Sequence, residues 1–286
     1  MNYAALIQNR KSVRAFLEKQ VPFKTLELVK NYYRTAVHRL IPGIATELYF
    51  FGTDAREALE GAAGYHKFLV GAPQYLVLLS ENHPQAGLNA GFVMEDLILK
   101  LTDLQLDSCW VTFTDSDHVK DALGIESDLH VAAIAAFGYG EKTTRRLRLN
   151  IKSMSNIDII AKRHYFEPKV SVKDLVHRDQ WGSRERVEDA IGFYDDMLWE
   201  AFYAASLAPS YLNRQAYGFL LKPGSITLVA KPDAYNTPID SALSLGIVLH
   251  HFTVVAQDWA GKLSWRFDPE GLELPEGHRA IATAAL

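Results

Sequence analysis

Cysteine is nearly absent from this 286-residue chain, which has Cys109 alone. One thiol excludes an internal disulfide and a cysteine-rich zinc knuckle, and it fits a reducing, cytoplasmic setting. Excess charge of one sign is absent too. The net charge is -4 with 22% charged residues, whereas nucleic-acid and anionic-membrane binders need broad positive surfaces. Neither partner is therefore expected, and any anion site must be local. No uninterrupted apolar run approaches the roughly 20 residues that span a bilayer, and MNYAALIQNRK lacks the apolar stretch of a signal peptide. There is no low-complexity tract. What remains is an ordinary globular composition, 48% hydrophobic, with material for one sizeable core or two smaller lobes.

Periodicity then divides the chain. VPFKTLELVKNYYRTAVHRL has Leu26, Val29, Tyr33 and Val37 at helical spacing, with Pro22 near its start. ELYFFG reads as a short strand, DAREALEGAAGYHKFL as a helix capped by Asp54, and QYLVLLSE as a buried central strand. GLNAGFVMEDLILKLTDLQL is hydrophobic on most of its circumference, which predicts a buried helix; DSCWVTFT and HVAAIAAFGYG follow as extended pieces. From 150 to 185 the sequence turns charged and irregular. RVEDAIGFYDDMLWEAFYAASLA then predicts a helix with Ile191, Tyr194, Leu198, Ala201 and Ala205 on one face, stopped by Pro209. QAYGFLLKP and SITLVAKP form a hairpin around Pro223 and Gly224, and a long apolar helix closes at Gly261. The expected organisation is two similar α+β lobes, 1–160 and 161–286, each with a long buried central helix.

Three segments carry chemistry. NRKSVRAF places Arg10, Lys11, Ser12 and Arg14 at a helix end; guanidinium forks and a hydroxyl can hold several oxygens of one phosphate, although a solvated basic turn has the same composition. EKTTRRLRLNI sets Lys142, Arg145, Arg146 and Arg148 beyond a strand end, where α/β ligands collect. GYGEKTT lacks the Gly-Lys-Ser/Thr order of a nucleoside-triphosphate loop. LAPSYLNRQAYGF presents Ser210, Asn213 and Gln215 after Pro209, chemistry that an ordinary capped turn also shows. The adjacent His250 and His251 diverge by about 100° on a helix, so they read as satisfied helix histidines rather than a ligand pair, and no metal site is expected.

RKSVRAF and APSYLNRQAYGF together resemble the nitroreductase family, whose patterns are Arg-Arg-Ser-x-Arg-x-Phe and Ala-Pro-Ser-x-x-Asn-x-Gln-Pro-Trp-x-Phe. IDSALSLGIVLHHF, LQLDSCWV and FGYGEKTTRRL match that family more loosely. Ala216 and Tyr217 replace its Pro-Trp pair, and Gln105 and Asp107 replace its glycines. The first block carries the Arg-Lys-Ser motif and the second the Pro-Ser-Asn motif, so the chain is similar to a fused form in which one polypeptide imitates the dimer.

The resemblance implies a nitroreductase-like α+β fold with antiparallel or mixed sheets, an FMN cofactor, NAD(P)H as transient electron donor and a small-molecule electron acceptor, nitroaromatic or quinone-like. It implies that Arg10, Lys11 and Ser12 hold the FMN phosphate and ribityl oxygens, with Arg145 or Arg146 completing the site. Arg14 would lie near the flavin pyrimidine, where a cation stabilises reduced flavin and so acts in catalysis. Val111, Thr112 and Phe113 would pass the reacting edge, and Pro209, Ser210, Asn213 and Gln215 would approach from the other lobe. A fused pseudo-dimer can act as a monomer or a weak homodimer. A flavin-binding protein of the same fold without turnover is the alternative.

Overall fold

The computed structural model describes the chain except residues 66–67, 142–145, 154–155, 163–167 and 184–194, and the side chains of 146–153, 156–162 and 195. Its first half opens with α1 (Tyr3–Asn9), whose Asn2 side chain accepts from the Ala5 amide, and α2 (Phe23–Thr35). Strands β1 (Thr46–Phe51), β2 (Gln74–Ser80), β3 (Asp107–Val111) and β4 (His130–Gly138) form an antiparallel sheet in the order β1-β2-β4-β3. Every residue of β2 is buried, as its unbroken apolar run predicts. Between them lie α3 (Ala55–Leu59), α4 (Ala86–Asp103) and α5 (Ser116–Leu123).

The second half holds α6 (Val172–Leu175), β7 (Val176–Arg178), α7 (Asp195–Ser206), β8 (Tyr217–Lys222), β9 (Ser225–Ala230), α8 (Pro238–Ala260), β10 (Arg266–Phe267) and β11 (Arg279–Ala285). Its sheet runs β10-β11-β9-β8-β7, with β7 parallel to β8 and the other pairs antiparallel. With β8, β9, β10 and β11 set against β1, β2, β3 and β4, the two sheets repeat one strand order. The β8–β9 hairpin turns at Pro223-Gly224, with Gly224 at φ +71°, as expected.

Two expectations need correction. The helix over DAREALEGAAGYHKFL ends at Leu59, because Gly61 and Gly64 take φ of +87° and +103°, and Asp54 makes no side-chain cap. The stretch read as irregular contains a two-stranded ladder, β5 (Arg146–Ser153) with β6 (Asn156–Lys162), besides α6 and β7. The expected boundary at 160 falls within β6. In α7, Leu198, Ala201 and Ala205 are buried as predicted, whereas Ile191 and Tyr194 lie outside the described residues.

Two apolar helices, α4 and α8, cross at the centre. A Cβ on Gly91 would stand 2.3 Å from the Leu243 carbonyl oxygen, and one on Gly246 would stand 2.1 Å from that of Leu88. Both positions therefore require glycine. The same interval separates Gly91 from Gly246, Leu88 from Leu243, Glu95 from His250 and Asp96 from His251, so the crossing has a local two-fold character. Around it, Leu76, Leu78, Met94, Leu97 and Phe137 form the first half's inner core, and Phe202, Phe219, Leu228 and Phe252 that of the second. Each such side chain contributes about 1.5–3 kcal/mol by burial. The length and hydropathy of α8 would suffice to cross a membrane, but 83% of its apolar window is buried in the protein.

Candidate functional site

After α1 the chain cannot continue as a helix, since Arg10 turns to extended geometry. It then runs beside the first sheet: Ser12 bridges Ser108, the Val13 amide donates to the Ser108 carbonyl at 2.9 Å, and Phe16 bridges Gly140. NRKSVRAF is thus an extended ribbon stitched to β3 and to the end of β4, with Phe16 anchored in the core. This fixes Arg10, Lys11, Ser12 and Arg14 along one wall of a cavity of about 1230 Å³.

The Arg10 side chain is only 7% exposed. Its Nε lies 3.5 Å from Glu95 Oε1 yet makes no hydrogen bond, while its Nη1 donates to Ser12 Oγ at 3.5 Å. Glu95 is itself buried in α4. It accepts from Trp110 Nε1 at 2.8 Å and faces His251 Nε2 at 3.0 Å. Burial pushes the Glu95 carboxyl up, but His251 and the Arg10 charge outweigh it and hold it below the usual carboxylate range. Burial pushes the His251 imidazole down against the opposing pull of Glu95. His251 bridges two acceptors, with Nδ1 3.0 Å from the Ala204 carbonyl and Nε2 3.0 Å from Glu95 Oε1, so both bonds form together only when each ring nitrogen carries a proton. Arg10 is therefore held as a cation against Glu95, its buried Nε turned toward that carboxylate.

The opposite wall comes from the second half. Residues 208–215 fold into a tight loop in which Leu212, Asn213 and Gln215 all take positive φ near +50°, a strained arrangement for non-glycine residues. Polar bonds over-determine it. Ser210 Oγ accepts from the Gln215 amide at 3.0 Å; Lys169 Nζ donates to the Ala208 carbonyl at 2.8 Å and to Asn213 Oδ1 at 3.2 Å. Asn213 Nδ2 donates to the Pro168 carbonyl at 2.9 Å, and the Val170 amide donates to Gln215 Oε1 at 2.7 Å. The loop and the segment 168–170 are thereby sewn together. Across the two halves, Thr112 Oγ1 donates to Asp240 Oδ1 at 2.8 Å. Asp240 sits in the first turn of α8, and burial pushes its carboxyl up against the Thr237 and Thr112 hydrogen bonds.

Of the residues expected from sequence, Arg10, Lys11, Ser12, Arg14, Val111, Thr112, Pro209, Ser210 and Asn213 all line this cavity. Phe113 does not; it is buried in the core beside α3. Gln215 does not line it either, because its amide is spent on residues 168, 170 and 213. Arg145 lies outside the described residues, as does the Arg146 side chain. Sequence reasoning missed Asp240, Ser244 and the aromatic rim. Tyr65 and Tyr211 face each other across the rim at 6.2 Å between ring centroids, and Phe68 is 72% exposed beside them. The strand-like signal of Tyr65 and Phe68 was hidden inside a helix assignment. Cys109 is buried on the cavity wall; burial pushes its thiol up despite Arg14 and Arg10.

Comparison with known proteins bears on the family and the fold. A family model described as "Putative TM nitroreductase" matches residues 2–173. The chain belongs to this nitroreductase family. A solved structure from Thermotoga maritima, described as a "putative nitroreductase", superposes with a TM-score of 0.60 at 18% identity, covering 99% of this chain and 93% of that one. At that identity the likeness speaks for the fold, an α+β nitroreductase fold over the whole chain. Two half-length matches are a nitroreductase with bound FMN from Bacteroides fragilis and a nitroreductase family protein from Clostridium difficile. The first has a TM-score of 0.43 and 20% identity over 55% of this chain and 97% of that one. The second has 0.42 and 20% over 50% and 87%. No curated protein matches the sequence.

Proposed function

We propose that this nitroreductase is an FMN-dependent, NAD(P)H-driven oxidoreductase that reduces small electron-poor acceptors such as nitroaromatics or quinones. The observation that carries the reading is the single cavity that gathers Arg10, Lys11, Ser12 and Arg14 on one wall and Pro209, Ser210 and Asn213 on the other. The residues fit the cofactor: Arg10, Lys11, Ser12 and Arg14 line one wall and bring cationic donors and a hydroxyl together, as a phosphate requires. Bound FMN would supply the transfer of hydride and electrons that no side chain here provides.

The chain's own residues bind and orient. Arg10, Lys11 and Ser12 hold the phosphate end, while Glu95 and Trp110 fix Arg10 from behind. Arg14 places a positive charge along the same wall, which favours the reduced, more anionic cofactor. The backbone at Val111 and Thr112 forms the floor, with Thr112 pinned by Asp240. A volume of about 1230 Å³ exceeds the roughly 300–1,000 Å³ of a one-ligand pocket. That leaves room for nicotinamide or acceptor beside the flavin, under a rim of Tyr65, Phe68 and Tyr211.

The repeated strand order and the two-fold helix crossing support a fused pseudo-dimer, with lobes 1–160 and 161–286, acting as a monomer or weak homodimer in the cytoplasm. A second reading is a flavin-binding protein without turnover. It is favoured by Tyr217, which stands in the place of the family's Trp with its ring buried in the core. The visible spectrum of the purified protein tests both. Flavin bands near about 370 and 450 nm, bleached anaerobically by NADH or NADPH, support the oxidoreductase. Bands that resist bleaching support the second reading, and a protein that stays colourless after FMN addition overturns both.

A further inference from the structure

The two-fold character of the α4–α8 crossing relates the Glu95–His251 pair to the pair His250–Asp96, with carboxylate and imidazole exchanged between helices. The first pair is completed by protein groups. The second is not. Asp96 accepts from Tyr3 Oη at 2.9 Å, from Tyr32 Oη at 2.9 Å and from the His38 amide at 2.7 Å. His250 is wholly buried, and among the described residues neither of its ring nitrogens makes a hydrogen bond. Its Nε2 stands 3.1 Å from Asp96 Oδ1 but off the hydrogen-bond axis. An imidazole nitrogen held that close to a carboxylate, without an aligned proton between them, is arranged for a cation that both can share. His38 Nδ1 is hydrogen-bonded at 3.1 Å to the other carboxylate oxygen and at 3.1 Å to Tyr3 Oη, contacts that a bound ion would replace.

We propose that His38 Nδ1, Asp96 and His250 Nε2 bind a divalent transition-metal ion of the zinc type. Two imidazoles and a carboxylate are a donor set for such ions, with a water or fourth ligand completing the shell. Ligand atoms at about 2.0–2.1 Å from a tetrahedral zinc lie roughly 3.3 Å from one another. His38 Nδ1 to Asp96 Oδ2 and His250 Nε2 to Asp96 Oδ1, each 3.1 Å, are close to that edge, the two oxygens being alternative carboxylate ligands. The three donor atoms all lie within 4.8 Å of one another. The His38 side chain is 35% exposed, and that exposure gives the ion a path inward. Tyr3 and Tyr32 serve as the outer shell that orients the carboxylate. Phe92 packs edge-on against His250 at 4.8 Å between centroids and keeps the ring in place. The site lies across the helix crossing from the Arg10 cavity and takes no part in the proposed flavin chemistry.

The full-length protein, stripped with chelator and dialysed, is titrated with Co²⁺ and with Zn²⁺. One equivalent of Co²⁺ should produce ligand-field bands at wavelengths beyond any flavin absorption, displaced stoichiometrically by Zn²⁺. Zn²⁺ at a hundredfold excess over its Kd should raise Tm by about 5 °C. His38→Ala, a change at a half-exposed position, and His250→Gln should each weaken Zn²⁺ binding at least about tenfold, with unchanged far-ultraviolet circular dichroism. Wild-type protein that gives neither cobalt bands nor a zinc-induced shift overturns the proposal. So does a folded His38→Ala variant that binds as tightly as wild type.

Discussion

The two sides of the α4–α8 crossing carry the same kind of pair and have met opposite fates. On one side Glu95 and His251 back Arg10, and the space beyond opens into the large cavity. On the other, Asp96 and His250 are closed over by Tyr3, Tyr32 and His38, whose polar groups converge on the carboxylate. A dimer of identical subunits would have to make both sides alike. A single chain can fill one and keep the other. Burial pushes the Asp96 carboxyl up, yet His250 and His38 hold it well below its ordinary value, so the filled side keeps a charge at its centre as the open side does.

The comparison breaks most readily at the crossing itself. Gly91→Ala and Gly246→Ala each force a methyl group into backbone, and each should cost about 3 kcal/mol in urea unfolding. A neutral result at either position would deny the two-fold contact. Next in size is the contrast between sides. Arg10→Gln removes a charge-assisted hydrogen-bond donor and should weaken FMN binding roughly 10- to 100-fold by fluorescence titration. Tyr3→Phe on the filled side should leave FMN binding unchanged while lowering stability by about 1–2 kcal/mol. Gln215→Ala should act through the loop, weakening FMN about threefold to tenfold with little change in Tm, because it releases residues 168–170 from the cavity wall.

The smallest effect is a pH dependence. Burial raises the Asp240 carboxyl above its unfolded value, so the folded state holds that proton more tightly than the unfolded chain. Asp240 therefore makes stability fall as pH rises from the ordinary carboxylate range through its raised folded pKa. Asp240→Asn should remove that component of the Tm-versus-pH profile while leaving the rest.

Much of the fold was legible because burial writes itself into periodicity. The run QYLVLLS and the apolar circumferences of α4 and α8 announced the core directly, and the motif around Pro209 located the second wall. His250 and His251 were rightly separated by helical geometry: they serve different sides of the crossing. Asp240 was not legible, because a lone aspartate near a helix start reads as a cap, and only the fold brings Thr112 to it. Gln215 matched a motif whose position the eye assigns to the ligand, whereas its amide holds the chain that faces the ligand. The Asp96 cluster draws on residues 3, 32, 38, 96 and 250, and no local pattern connects them.

At the crossing, backbone meets backbone with no side chain between to yield. Such a joint works like an axle rather than a cushion. On the proposed function, selection among acceptors would fall to the rim, where Phe68 and Leu212 project into solvent and can change without disturbing the bearing they turn on.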